Sequence, residues 1–226
     1  MIKKHYEFST WLRITHWVRA LAIVILTATG FYLAYPFISP SHSGGEPVIF
    51  LNALSRSWHV MFGFLLIAVT IGKFYLFIFD KESQDERSSF WDFINPKVWI
   101  KQIGYYLLIN KHPHGKGVYN PLQFMAYVGV YASILAISIT GIILYVNVYH
   151  LGLGGLLHDM VKPLEAFLGG LAWVRELHHI FMWVFIIFLP IHIYLAVFNS
   201  VYGKNGSMDS IISGYRWDKE KDEKKN

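Results

Sequence analysis

Five histidines sit inside long apolar stretches of this sequence: His16, His59, His178, His179 and His192. Ionisable side chains are costly in such surroundings, and they mark function. His178 and His192 are 14 residues apart. At about 100° per residue they differ by about 1400°, some 40° short of four turns, so on a helix they share a face with a rise of about 21 Å between them. His179 falls on the nearly opposite face and is the bystander. Neutral imidazoles facing each other between helices are the ligand set of a six-coordinate b-type haem. Little else competes for them. The sequence has no cysteine, which excludes thiolate clusters, disulfides, Cys zinc sites and covalent haem attachment through Cys. The carboxylate that stands near these histidines is Glu176.

The elements that carry these residues follow from composition. Of 226 residues, 54% are hydrophobic and only 15% charged, with a mean hydropathy of +0.36, against about 25% charged in an average soluble domain. That balance is hard to fit into a soluble globule and easy to fit into a bilayer, and disorder, collagen and low complexity are excluded. Four apolar spans stand out, at about 14–38, 52–79, 122–149 and 177–202. Each exceeds the roughly 20 residues needed to cross about 30 Å of hydrocarbon. Only helices satisfy their own backbone in lipid at that length. The expected fold is therefore an all-α integral membrane protein, a four-transmembrane-helix bundle holding two haems b. The first span is too long for a cleavable signal peptide, and no small-residue cleavage site follows it. Residues 80–121 and 150–176 read as loops and 203–226 as a tail. The stretch 151–173, cut by glycines, Pro163 and charges, reads as an interfacial loop with at most a short helix.

Charge sets the orientation. With four spans, both termini and loop 80–121 share a side. That side carries sixteen Lys and Arg, and the other carries Arg56, Lys162 and Arg175. Both termini are expected in the cytoplasm, loop 150–176 in the periplasm, and the chain in the bacterial inner membrane. The depths then pair His16 with His192 near the inner surface and His59 with His178 near the outer one. Arg13, Arg19, Arg56 and Arg175 lie within a turn or two of these histidines. They either pair with haem propionates or anchor the helices at the interface. Lys73, 14 residues beyond His59, either snorkels or serves the inner haem. Gly30 and Gly141 are among the glycines that let a macrocycle or a helix approach.

Several runs resemble a known family. Trp11-Leu12-Arg13-Ile14-Thr15-His16-Trp17 resembles the first-helix histidine motif of b-type cytochrome subunits of membrane-bound nickel–iron hydrogenases. Arg56-Ser57-Trp58-His59 fits their second-helix ligand, and His178-His179-Ile180-Phe181-Met182-Trp183 followed by His192-Ile193-Tyr194 resembles their fourth helix. Tyr119-Asn120-Pro121-Leu122-Gln123 resembles the Asn-Pro motif opening their third. The match covers nearly the whole chain. It implies a subunit that anchors a hydrogenase whose Ni/Fe large subunit and iron–sulfur small subunit face the periplasm. Electrons then pass through two haems to the quinone pool, menaquinone or ubiquinone. Several members carry His immediately before the Asn-Pro pair. Here that position is Tyr119, and His114, six residues before Asn120, stands for the equivalent role.

A quinone needs hydrogen bonds at two carbonyl oxygens and a proton route. Tyr106, His112, His114, Tyr119, Asn120 and Gln123 supply such groups in and just after loop 80–121. Asn120 and Gln123, three apart at a helix start, share a face, and His114 titrates near neutral pH. Asn120-Pro121 reads equally as a helix cap with proline at the first position. The chain is not catalytic for dihydrogen alone, since cleavage of dihydrogen needs a thiolate-built metal centre. Membrane lipid and the hydrogenase subunits are the expected partners. Nucleic acid is not, because the basic residues flank spans and form no helical stripe. Two other readings stay open: the cytochrome subunit of another dehydrogenase such as formate dehydrogenase, and a proton-coupled transporter with a histidine relay.

Overall fold

The computed structural model describes residues 2–37, 50–81, 83–107, 109, 117, 119–203 and 206–219. In chain order these form β1 (Ile2–Tyr6), α1 (Thr10–Ala34), α2 (Phe50–Phe79), α3 (Gln84–Phe93), α4 (Pro96–Tyr106), α5 (Pro121–Val146), α6 (Leu153–Phe167), α7 (Leu171–Gly203), α8 (Ser207–Ser213) and β2 (Tyr215–Lys219). Helices α1, α2, α5 and α7 are long and apolar enough to cross a membrane.

The helix bounds differ from the hydropathy reading for local reasons. Helix α1 begins at Thr10 because the Ser9 hydroxyl accepts the Leu12 amide at 3.3 Å, a cap that a hydropathy reading does not see. It ends at Ala34, two residues before Pro36, which disfavours helical geometry in the residue it follows. Residue 38 lies outside the described residues. Helix α7 begins at Leu171, so the charged Arg175-Glu176 pair is helical rather than part of a loop. Two glycines at positive φ, Gly169 and Gly170 at +89° each, make the turn that feeds it, a backbone region open chiefly to glycine. The segment read as the loop 150–176 contains α6, and loop 80–121 contains α3 and α4. Asn95 caps α4 by accepting the Lys97 amide, with Pro96 at the first helical position.

The chain divides into two compact units. The first comprises Met1–His16, Ile71–Tyr131 and Leu189–Asn226. In it β1 and β2 pair antiparallel, with Ile2 opposite Lys219 and Tyr6 opposite Tyr215. This two-stranded ribbon is the one departure from the expected all-α fold among the described residues. It ties the two ends of the chain together. Arg216 reaches Glu7 at 2.7 Å, and the Gly214 carbonyl accepts the Glu7 amide at 2.8 Å. The core of this unit is unusually polar. Glu86, Ser83, Ser89, Asp92 and Gln102 are all buried beside Phe8, Leu12, Phe124 and Tyr131.

The second unit comprises Trp17–Thr70 and Ala132–Phe188. Its core is apolar, with Ala22, Ile134, Ile143, Val146 and Val174 fully buried and Leu66, Met182 and Phe185 nearly so. Phe64 meets Tyr145 edge-on at 5.2 Å. Asn147, just past α5, donates to Glu165 of α6 at 2.7 Å, and Lys162 bonds both. Elsewhere the long helices present apolar side chains outward, such as Leu21, Met61 and Ile187. That surface suits lipid, which is itself apolar.

Candidate functional site

Each unit holds one pair of imidazoles facing each other between its long apolar helices, and the second unit has another pair, His150 and His158 at 6.2 Å and 71°, outside the candidate spans. In the second unit the rings of His59 on α2 and His178 on α7 have centroids 6.1 Å apart at an interplanar angle of 65°. In the first unit His16 on α1 and His192 on α7 stand 6.4 Å apart at 48°. A metal–imidazole bond is about 2 Å, and a ring centroid lies about 1.1 Å from its nitrogen. Two imidazoles on opposite sides of one metal ion thus have centroids about 6.2 Å apart. Both pairs match that span.

The surroundings of His59 and His178 fit a macrocycle as well as a metal. The two histidines line a cavity of about 680 Å³ together with Gly63, Arg56 and Arg175, a volume within the range of cofactor sites. Gly30 and Gly141 also line it, and each abuts one ring. A Cβ on Gly30 would lie 3.0 Å from His59 Cε1, and one on Gly141 would lie 3.3 Å from His178 Cε1. The residue before each glycine is a threonine. Thr29 Oγ1 lies 3.0 Å from His59 Nδ1, and Thr140 Oγ1 lies 2.9 Å from His178 Nδ1. Among the described residues no cluster of three or more His, Cys, Asp or Glu could hold a bare metal ion, so paired imidazoles are the ligand set at hand.

The other expected residues are placed as follows. His179 lines the cavity as well, but the ring that faces His59 is that of His178. Arg56 and Arg175 are exposed at this cavity, as propionate partners would be. Arg13 is engaged elsewhere: its guanidinium donates to the Ile212 carbonyl of α8 and to the Thr10 hydroxyl. Arg19 is half-buried on α1. His16 is half-buried, and His192 is the more exposed of that pair.

In the first unit the Asn-Pro motif forms a reciprocal cap. The Asn120 side chain accepts the Gln123 amide at 2.9 Å, and the Gln123 side chain accepts the Asn120 amide at 3.1 Å. This satisfies two backbone donors at the start of α5. Asn120 Nδ2 donates to the Tyr106 hydroxyl at 3.2 Å. Three of the six residues read as quinone-binding groups, Tyr106, Asn120 and Gln123, are thus joined by hydrogen bonds. His112 and His114 lie outside the described residues.

Lys73 does not snorkel but is buried against α3. It is 3% exposed and donates to Glu86 of α3 at 2.6 Å, with Glu86 itself 1% exposed. Tyr119 donates to the other Glu86 oxygen at 3.1 Å. Burial first, and then the Glu86 charge, push the Tyr119 phenol well above its ordinary value of 10.0, so it remains a hydrogen-bond donor at neutral pH. Sequence reasoning missed Glu86 and the two threonines. The repeated Thr-Gly dipeptide at 29–30 and 140–141 was the available signal for the latter.

A polytopic helical protein with imidazole pairs set at haem-spanning distance is, by class, a membrane cytochrome b. The chain belongs to the prokaryotic cytochrome b561 family, whose model matches residues 7–214. Curated relatives carry the name probable Ni/Fe-hydrogenase B-type cytochrome subunit. The Rhodobacter capsulatus protein is 28% identical over 216 residues, covering 93% of this chain and 80% of that one. The Azotobacter vinelandii protein is 28% identical over 222 residues, covering 93% and 88%. Probable Ni/Fe-hydrogenase 1 B-type cytochrome subunit of Escherichia coli K12 is 25% identical over 222 residues, covering 95% and 92%. Membership and four spans together make this a multi-pass protein of the bacterial inner membrane.

Proposed function

We propose that this chain is the di-haem membrane anchor of a periplasm-facing Ni/Fe-hydrogenase, carrying electrons from the iron–sulfur subunit to a membrane quinone. The observation that carries the reading is the presence, between the long apolar helices of each of two units, of one imidazole pair at 6.1 or 6.4 Å. His59 and His178 would hold one haem b, and His16 and His192 the other. When bound, these groups supply one-electron chemistry at iron.

The chain's own residues do the rest. The histidines hold the cofactors between helices, where apolar side chains exclude water. Arg56 and Arg175, at the cavity of the His59–His178 pair, offer bidentate donors to propionates. Tyr106, Asn120 and Gln123 present the polar groups at which a quinone docks, with His114 as the proton donor. The bias of Lys and Arg toward the termini and residues 80–121 supports placing that docking site on the cytoplasmic side. Hydrogen oxidised outside and protons taken up inside would then make turnover electrogenic. The names of the relatives support hydrogenase, rather than another dehydrogenase, as the partner.

Sealed vesicles bearing the complete complex test this directly. Hydrogen should reduce a quinone analogue and generate a membrane potential, positive on the hydrogen-oxidising side. Quinone reduction by formate but not by hydrogen would assign the chain to another complex. Hydrogen-driven reduction without a potential would contradict the side assigned to the quinone.

A further inference from the structure

The two threonines beside the cavity do more than fill space. Thr29 Oγ1 donates to the Ile25 carbonyl at 2.7 Å, and Thr140 Oγ1 donates to the Ala136 carbonyl at 2.9 Å, with the Ile137 carbonyl at 3.0 Å. A hydroxyl has one proton and two lone pairs. A carbonyl can only accept, so each threonine spends its proton on its own helix backbone. What remains toward the histidine is a lone pair. The hydrogen bond at His59 Nδ1, and that at His178 Nδ1, is then donated by the ring, with the Leu26 and Ile137 carbonyls beside them as further acceptors for the two rings. A neutral imidazole with its proton on Nδ1 has a bare lone pair on Nε2, which is the metal-ligating form.

The neighbouring glycines complete the device. Gly30 and Gly141 have no Cβ to keep each ring from its threonine, and the Cε1 edge of each ring faces the glycine. The same dipeptide on α1 and on α5 thus performs the same task for one ligand each. Ring-to-threonine distances of 3.0 and 2.9 Å are ordinary hydrogen bonds. A bond from Nδ1–H to an acceptor raises the basicity of the ligating nitrogen. That favours the ferric over the ferrous state.

Resting on the haem reading above, we propose that Thr29 and Thr140 are positioning residues that fix the Nδ1–H tautomer of His59 and His178. In doing so they lower the midpoint potential of the haem held by that pair.

The test is a spectroscopic redox titration of the full-length protein purified with its haem. The variants are T29V and T140V, which keep the shape and remove the lone pair, and T29S and T140S, which restore it. Each valine variant should favour the reduced form of one haem by about tenfold, an upward shift of about 59 mV for one electron. The second haem serves as the internal reference and should stay in place. Each serine variant should return to the wild-type potential. Valine variants that keep both haems at wild-type potentials would overturn the inference and leave the haem reading intact. Wild-type protein that binds no haem would overturn the haem reading itself, and the inference with it. Should a valine variant not accumulate, T29A and T140A set against the serine variants make the same comparison. Equal shifts in alanine and serine would trace the effect to the lost methyl and overturn the inference.

Discussion

At the residue scale, the space beside the His59 and His178 rings is set by the absence of one methyl group at each. An alanine at position 30 would bring a Cβ to 3.0 Å from His59 and one at position 141 a Cβ to 3.3 Å from His178, both inside the range where the neighbour must give way, the first by more. Gly30→Ala should therefore lower haem retention more than Gly141→Ala, by up to the 10- to 100-fold that disturbing a ligand's supporting shell costs. Haem per chain after extensive washing measures this, and the reverse order would contradict the placement of the rings. The facing of His16 with His192 and of His59 with His178 was legible in the sequence because an imidazole in an apolar span is conspicuous and a 14-residue spacing fixes a face. Thr29 and Thr140 were not. A threonine in a membrane helix usually bonds its own backbone, and nothing in a single sequence shows that these two also meet a histidine from another helix.

At the scale of elements, two polar networks hold segments that hydropathy leaves blank. Lys73 and Glu86 join α2 to α3 as a buried pair, 3% and 1% exposed. Removing one charge from such a pair costs about 3–5 kcal/mol, because the other then loses its buried counter-charge. Glu86→Gln should thus lower thermal stability sharply. The double change K73M/E86Q should recover most of the loss, and a double variant as unstable as the single one would sink this account of the pair. The second network sits where α5 meets α6. There the Asn147 side chain, with Lys162, holds the Glu165 carboxyl below its ordinary value of 4.5. A lowered value in the folded state means a stabilising contribution that is present above pH 4.5 and lost as pH falls through the folded value. Amide-exchange protection at the end of α5 should decline over that acidic window, and Glu165→Gln should flatten the decline. The sequence showed the charges of both networks but not their partners. The depth of Lys73 in a span shows in the sequence, while Glu86 comes from a connector whose helix begins only after the span has ended.

At the scale of the whole molecule, four spans and their bounds to within several residues were legible, because crossing a bilayer demands an apolar run that no other constraint imitates. The differences at the ends have physical causes: the Ser9 cap starts α1 early, and α7 runs through Arg175-Glu176 despite their charge. The ribbon of β1 and β2 was invisible. Its two strands stand at opposite ends of the chain, are only five residues each and are charged, so no local pattern announces their pairing. Asn120-Pro121 reads in the sequence equally as a helix cap and as part of a quinone site; the cap forms, with the Asn120 side chain accepting the Gln123 amide, and the quinone proposal rests on these residues together with Tyr106, to which Asn120 donates. Whether the chain carries electrons at all turns on the two imidazole pairs. The most direct measurement is therefore haem per polypeptide, by pyridine haemochrome assay of the full-length protein in mild detergent, with His59→Ala and His16→Ala beside it. The account predicts about two b-type haems per chain, falling to about one in either variant. A monodisperse, folded protein without haem, or one whose haem content neither substitution changes, would contradict it.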